Sequence, residues 1–349
     1  MTPAAPIHIV GGGLAGLTLG LLLRQRQIPV TLWEAGAYPR HRVCGEFLSG
    51  HGQRVLGPLG LLEECEAAGA QWARTALFAN EHRTSPPRPL PQPALCVSRH
   101  ALDALLARAF VERGGELQTR QRRESIPVEP GWVQATGRQP QAQVGGWRWF
   151  GFKAHAEQVL LDADLELHVS RNAYVGLCRI EGGRVNVCGL FRRQVGEAPS
   201  ADRTAETALR GVPGSPLHQR LATATFVPES VCAVAGLDLR PRSLQTETRW
   251  LLGDAAGMIP PFTGNGMSLA LESAEWSTEP LTRFARGTCS WEQARRDYAT
   301  HSDSRTRHRL RWAGFLQRLL FLPAAPALLL TLSRPEPIWR RLFALTRGG

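Results

Sequence analysis

Ile7-His8-Ile9-Val10-Gly11-Gly12-Gly13-Leu14-Ala15-Gly16 opens the regular structure of the chain and decides its architecture. A short apolar run is followed by glycines spaced Gly11-x-Gly13-x-x-Gly16, a helical pattern from Leu14 to Arg24, and a second apolar run from Ile28 to Leu32 that ends at Glu34. That succession is a strand, turn, helix, strand unit. Gly11 makes the tight turn, Gly13 lets a pyrophosphate approach the backbone, and Gly16 lets helix pack on strand. The helix N-terminus then offers amide donors to phosphate. Glu34, about twenty residues past the glycines, stands where a carboxylate accepts hydrogen bonds from an adenosine ribose. A Gly-rich turn that merely packs needs neither the second strand nor the terminal acid, so the segment reads as a dinucleotide site.

A second stretch, Leu251-Leu252-Gly253-Asp254-Ala255-Ala256-Gly257-Met258-Ile259-Pro260-Pro261-Phe262-Thr263-Gly264-Asn265-Gly266, returns late in the chain to strand, loop and helix. Gly264-Asn265-Gly266 brings backbone close to a flat ring. The helix that begins there, carrying Met267, Leu269, Ala270, Leu271 and Ala274, points its positive end at negative charge developing on that ring. Taken alone, Asp254 also reads as a helix cap in a Gly-rich loop.

The 349 residues are 43% hydrophobic, enough for one large or two moderate cored domains. Met1 runs almost directly into the first strand with no apolar leader pattern, which predicts a cytoplasmic protein. Seven scattered cysteines without a CxxC or Cys/His cluster predict reduced thiols and no structural metal. Lys+Arg exceed Asp+Glu by 41 − 30 = 11, and Lys153 is the only lysine. Such a balance favours anionic partners, phosphorylated cofactors and acidic lipid among them. No nucleic-acid motif accompanies it, which argues against DNA or RNA as partner.

Ala101 to Gly114 carries Leu102, Leu105, Leu106, Ala109 and Phe110 at helical spacing. Thr84 to Pro91 is too rich in proline for helix or central strand and reads as an exposed connection. From Trp147 to Leu190 short β-type runs alternate with Arg171-Asn172 and Gly182-Gly183, which predicts successive antiparallel strands. The expected architecture is α/β: a Rossmann-like FAD-binding domain over 1–150 and 245–300, with 46–95 contributing partly to the substrate side. An inserted antiparallel β-sheet substrate domain covers 151–244, and a C-terminal helical segment covers 301–349. In that last segment Arg305, Arg307, Arg309 and Arg311 precede the apolar stretch Phe315 to Leu332, which contains Gln317, Arg318, Pro323 and Pro326. Two prolines and a charge argue against a membrane span and for a pair of short amphipathic helices, followed by Trp339-Arg340-Arg341-Leu342-Phe343. These helices either touch a membrane surface peripherally or close over the first domain.

Over most of residues 1 to 300 the chain resembles the FAD-dependent family of aromatic hydroxylases of the para-hydroxybenzoate hydroxylase type and geranylgeranyl reductases. The resemblance rests on Gly11-x-Gly13-x-x-Gly16 with Glu34, on Arg99-x-x-Leu102-x-x-Leu105, and on Gly253-Asp254-Ala255-Ala256 followed by Pro261 and Gly264-x-Gly266. It implies that Asp254 binds the ribityl chain of FAD and that Arg99 lies near the pyrophosphate. Gly11, Gly13, Gly16, Glu34, Arg42, Arg99, Gly253, Asp254, Pro261, Gly264, Asn265 and Gly266 are the expected cofactor residues. Gly257 and Arg42-Val43-Cys44-Gly45-Glu46 look like the reductase branch, where Cys44 either faces the flavin as a catalytic group or is an inert thiol. The Asp-Gly motif of the hydroxylases is replaced by Thr136-Gly137-Arg138, a departure that bears on the handling of nicotinamide nucleotides. Trp147-Arg148-Trp149 resembles the Trp-x-Trp element of flavin-dependent halogenases without the Ile-Pro that follows it there. Tyr174 stands where the reductases have Tyr-x-Trp-x-Phe-Pro, here without the Trp and Phe-Pro.

Lys153 and His155 alternate with Ala154, so both project to one face of a strand. Lys153 is the catalytic candidate beside Cys44, the alternative being a solvated strand-end charge. Trp149, His155 and Tyr174 are the substrate-side candidates. The function expected is NAD(P)H-dependent oxidation or hydroxylation of an apolar or aromatic small molecule, with NADH or NADPH docking transiently because no second GxGxxG exists. Reduction of an isoprenoid or lipid double bond follows closely, and halogenation or non-redox use of reduced FAD ranks lower. A flavin-bearing, membrane-associated binding factor without turnover is the alternative of another class.

Overall fold

A computed structural model describes residues 4–138, 145–197, 204–239, 243–322, 330 and 335–340. The first apolar runs become strands of one parallel five-stranded sheet. Its order is Trp250–Leu251, Trp132–Gln134, Ile7–Val10, Val30–Trp33, Glu116–Gln118. Ile7, Ile9, Leu32 and Val133 have no exposed surface, as expected of parallel strands covered on both faces. The helix Leu14–Gln25 packs against Arg99–Glu112 and Gly266–Ala285. Gly20 permits the first contact, since a Cβ there would meet the Phe110 ring. Ser98 starts Arg99–Glu112 by accepting a hydrogen bond from the Ala101 amide.

The second sheet has eight strands in the order Thr225–Ala235, Trp147–Glu157, Val185–Gln194, Ala173–Arg179, Leu165–Ser170, Gln71–Ala79, Arg88–Cys96, Phe47–Leu48. The runs predicted between Trp147 and Leu190 are all present and pair antiparallel. Gln71–Ala79 joins Leu165–Ser170 in parallel, the point where an earlier segment of chain is stitched onto the later meander. One face, with Ala154, Val175, Val187 and Phe191, is covered by the short helices Ala205–Arg210 and Pro216–Arg220. The other face looks toward the first sheet.

Two expectations need correction. The proline-rich stretch is not wholly a connection, because Arg88–Cys96 is a strand. Phe47–Leu48 pairs only with Leu95 and Cys96, so the strand is an edge over its first half. Pro89, Pro91 and Pro93, two residues apart, lack their N–H on one side there. Nor does the apolar stretch from Phe315 begin a pair of short helices. Residues up to Leu320 complete one 30-residue helix, Trp291–Leu320, because nothing between the capping Ser290 and Pro323 breaks it.

From Tyr298 to Arg309 that helix is bound to elements around the first sheet, while its end at Leu320 packs with Tyr174 and Leu190 of the second. Tyr298 stacks on Trp250 at 4.9 Å and donates to the Leu251 carbonyl. Asp303 accepts from Ser243 Oγ and the Leu244 amide. Arg309 makes a buried two-point pair with Glu272, at 2.6 and 3.3 Å. Of the terminal motif, Trp339 donates to the Pro89 carbonyl and meets Phe78 edge-on. Residues 323–329, 331–334 and 341–349, on which the rest of that C-terminal expectation fell, lie outside the described residues. No described helix is long and apolar enough to cross a membrane.

Candidate active site

Between the two sheets lies a cavity of about 1280 Å³. Drug-sized ligands occupy pockets of roughly 300–1,000 Å³, so this one has room for a dinucleotide and a second molecule. It begins at the glycine turn. A Cβ on Gly11 would overlap the Ala135 carbonyl, and one on Gly16 the Gly11 carbonyl, so these two glycines let the strand ends and the helix close together. Gly13 differs: its backbone is extended, and the nearest atom to an added Cβ is Arg99 Nη2 at 4.0 Å. The space beside Gly13 is open for a ligand.

Around that space the charges are arranged for an anion. Arg42 lines the cavity and has no hydrogen-bond or ion-pair partner among the described residues; burial, then the neighbouring Arg40, lowers its pKa. Arg99 lies beside it, held by Asp103 at 2.7 and 2.8 Å. Glu34 is turned inward. Its carboxylate accepts from the Gly12 and Gly36 amides, both at 2.8 Å, and pairs with Arg40. Although burial opposes ionisation, the Arg40 and Gly36 hydrogen bonds hold the Glu34 pKa down to about 2.

At the late motif, Gly253 takes a positive φ of 59° and the Asp254 carboxyl enters the cavity, where burial raises its pKa against the pull of Arg99 and Arg138. A hydroxyl donor of a ligand would relieve that desolvation. Pro261, Gly264 and Gly266 line the next section, and Asn265 is buried behind them, accepting from Ser49 Oγ at 3.3 Å. The helix Gly266–Ala285 starts at this wall, so its unbonded first-turn amides lie at the cavity edge. These features fit FAD: an open backbone approach with the unpaired Arg42 and the neighbouring Arg99 at one end, a buried carboxyl midway, and a helix N-terminus at the ring end.

The Arg42–Glu46 segment forms the facing wall. Cys44 lines the cavity, and burial raises its pKa, which keeps it a neutral thiol. Lys153 and His155 do share a face, yet neither lines the cavity. Both turn to Glu46, whose carboxylate lies 3.1 Å from Lys153 Nζ and 2.7 Å from His155 Nε2. Trp149 likewise packs away, edge-on to Phe321 at 5.3 Å. Tyr174 is the substrate-side candidate that the structure places at the cavity, in a chamber with Met258, Phe262, Leu237, Leu316 and Leu320. Its hydroxyl is buried without a hydrogen-bond partner among the described residues, and burial pushes its pKa up.

Sequence reasoning passed over Glu46 and His41, although Cys44-Gly45-Glu46 was in view; its signal was an acid two residues from the only motif cysteine in a chain with one lysine. It also passed over Arg40, Phe47 and the cavity wall supplied by Trp312 to Leu322. Arg138, read as marking a lost carboxylate, lines the cavity near Asp254.

Residues 4–145 match the family model of an FAD binding domain. A stretch of 117 residues is 32% identical to 1H-pyrrole-2-carbonyl-[peptidyl-carrier protein] brominase of Pseudoalteromonas luteoviolacea (strain 2ta16), and covers 32% of this chain and 28% of that enzyme. The match thus spans little more than a quarter of the brominase. Among solved structures, the flavin-dependent brominase Bmp2 superposes with a TM-score of 0.78 at 17% identity, over 99% of this chain and 94% of that one. PqsL of Pseudomonas aeruginosa, named a probable FAD-dependent monooxygenase, gives 0.70 at 16% identity, over 93% of this chain and 99% of that one. At these identities the likenesses establish the fold. Residues 4–145 thus match an FAD binding domain, and the described chain shares the fold of the FAD-binding flavoenzymes on which it superposes.

Proposed function

We propose that the protein is an FAD-dependent monooxygenase that acts on an apolar or aromatic small molecule, with NADH or NADPH as a transient donor. The observation that supports this most is the continuity of one cavity from the glycine turn to the apolar chamber around Tyr174. In this reading Gly13, Arg42 and Arg99 hold the pyrophosphate, Asp254 the ribityl hydroxyls, and the Gly264–Gly266 backbone the ring. FAD held by these residues would supply the redox chemistry of the reaction. The chamber excludes water and orients the substrate, and the Tyr174 hydroxyl donates a hydrogen bond to an acceptor on it. Phe315, Leu319 and Leu322, exposed beside the chamber, give a lipophilic substrate a route in from a membrane surface. Salt-sensitive cosedimentation with anionic vesicles is the expected sign.

Halogenation is the second reading, favoured by the likeness to brominases. One experiment separates them: purified protein with FAD, NADH or NADPH, oxygen and a panel of aromatic and isoprenoid compounds, with and without bromide. Flavin bleaching, oxygen uptake and product mass are followed. A product one oxygen heavier supports the proposal, and a brominated one the second reading. A reduced substrate without oxygen uptake would indicate the reductase chemistry, and no flavin reduction by either donor a binding factor.

A further inference from the structure

The segment Cys44–Glu46 is fastened to the second sheet by its carbonyls and by the Glu46 side chain. The Cys44 carbonyl accepts from Asn186 Nδ2 at 3.0 Å, and the Gly45 carbonyl from Cys178 Sγ at 3.2 Å. Glu46 has a positive φ of 56°, a conformation that non-glycine residues adopt seldom and at a cost. Its fully buried carboxylate meets Lys153 Nζ, His155 Nε2 and the Arg99 amide at 3.1, 2.7 and 2.9 Å. Lys153 Nζ also lies 3.2 Å from His41 Nδ1. An ammonium only donates, so His41 accepts there and is neutral, consistent with a pKa lowered to about 4 by burial first and then by Lys153. With the carbonyls drawn into the sheet and the Cys44 amide directed at the Cys188 thiol, the Gly45 amide N–H has no acceptor among the described residues, on a segment that lines the cavity.

We propose that Lys153, Glu46 and His155 form a positioning clamp that holds Cys44–Glu46 in its strained turn and so presents the free Gly45 amide to the cofactor. Lys153 is then a positioning residue that never meets substrate. Its ammonium balances the Glu46 charge, and the pair fixes the loop because neither member can turn to water without leaving the other uncompensated. The inference rests on FAD occupying the cavity and is independent of whether the reaction is hydroxylation or halogenation.

The test measures FAD dissociation constants, visible absorption and circular dichroism of bound flavin, and its midpoint potential, in wild type, Lys153→Met, Glu46→Gln and the double variant. Lys153→Met is expected to weaken FAD binding at least tenfold and to shift the flavin dichroism and move the potential to more negative values. The added Glu46→Gln, which removes the stranded charge, is expected to return the affinity to within about threefold of wild type. Unchanged affinity, spectrum and potential in Lys153→Met would overturn the clamp, as would a double variant no better than the single one. If Lys153→Met does not fold, Glu46→Gln alone, which keeps the packing, decides: a wild-type spectrum, potential and affinity overturn the proposal. Failure of the wild-type protein to bind FAD at all would remove the cofactor reading instead.

Discussion

The ring of Phe47 lies against Gly264, in the space that a Cβ on that glycine would need. Gly264 also has a positive φ of 65°. The contact joins the short edge strand of the second sheet to the turn that precedes the helix Gly266–Ala285. Gly264→Ala should therefore lower stability by about 1–3 kcal/mol from overpacking and backbone strain together, and Phe47→Leu in the same chain should recover part of it. Urea unfolding of the two variants gives the answer; additive losses would mean that the contact is not the cause.

The glycines of the first turn should separate into two kinds. Gly13→Ala leaves the fold intact, at about 1 kcal/mol for a poorer helix N-cap, and weakens FAD binding at least tenfold by crowding the pyrophosphate. Gly11→Ala and Gly16→Ala unfold the domain, because each Cβ overlaps a backbone carbonyl. Melting curves with and without FAD distinguish these outcomes.

Glu34 links stability to acid. Its pKa falls from 4.5 to about 2 on folding. The stabilisation is complete above the unfolded value and is lost as pH falls from about 4.5 toward 2. It amounts to on the order of 3 kcal/mol from the linkage relation. Arg40→Met removes one cause and leaves the Gly12 and Gly36 amides, so acid unfolding, followed by circular dichroism, should move to higher pH without reaching the behaviour of Glu34→Gln.

Tyr174→Phe should leave the cofactor-loaded protein as stable as wild type or about 1 kcal/mol more so, because a buried hydroxyl without a partner is removed. The same change should raise KM for substrates that carry a hydrogen-bond acceptor and leave it alone for those that do not. A uniform effect across both sets would take the hydroxyl out of substrate recognition.

Arg309→Met strands the buried Glu272 carboxylate and should cost about 3–5 kcal/mol, much of it restored by Glu272→Leu in the same chain. For the same reason truncation after Ser304, which removes Arg309, Leu310 and Leu320, should destabilise the first domain. A truncated protein with wild-type melting would overturn that.

What was legible in the sequence was whatever local spacing controls. The period-two runs from Trp147 and the glycine spacing of the first turn each refer to neighbours a few residues away, and they appear as read. What was hidden depends on partners far along the chain. Lys153 and His155 were correctly placed on one face, but only the fold shows that Glu46, more than a hundred residues earlier, closes that face before a substrate meets it. Arg40 was unremarkable until it lay across Glu34. The strand at Arg88–Cys96 defeated the proline rule because edge position is a property of the whole sheet.

The parallel seam between Gln71–Ala79 and Leu165–Ser170, with the return of the chain to the first sheet at Trp250–Leu251, also governs the order in which the molecule is assembled. Gly13 is synthesised early and Asp254 some 240 residues later, and everything between them must find its sheet before the two face each other. Long-range pairings of this kind form late in folding. FAD is accordingly a ligand of the finished molecule, and by mass action its supply stabilises completed chains over partly folded ones.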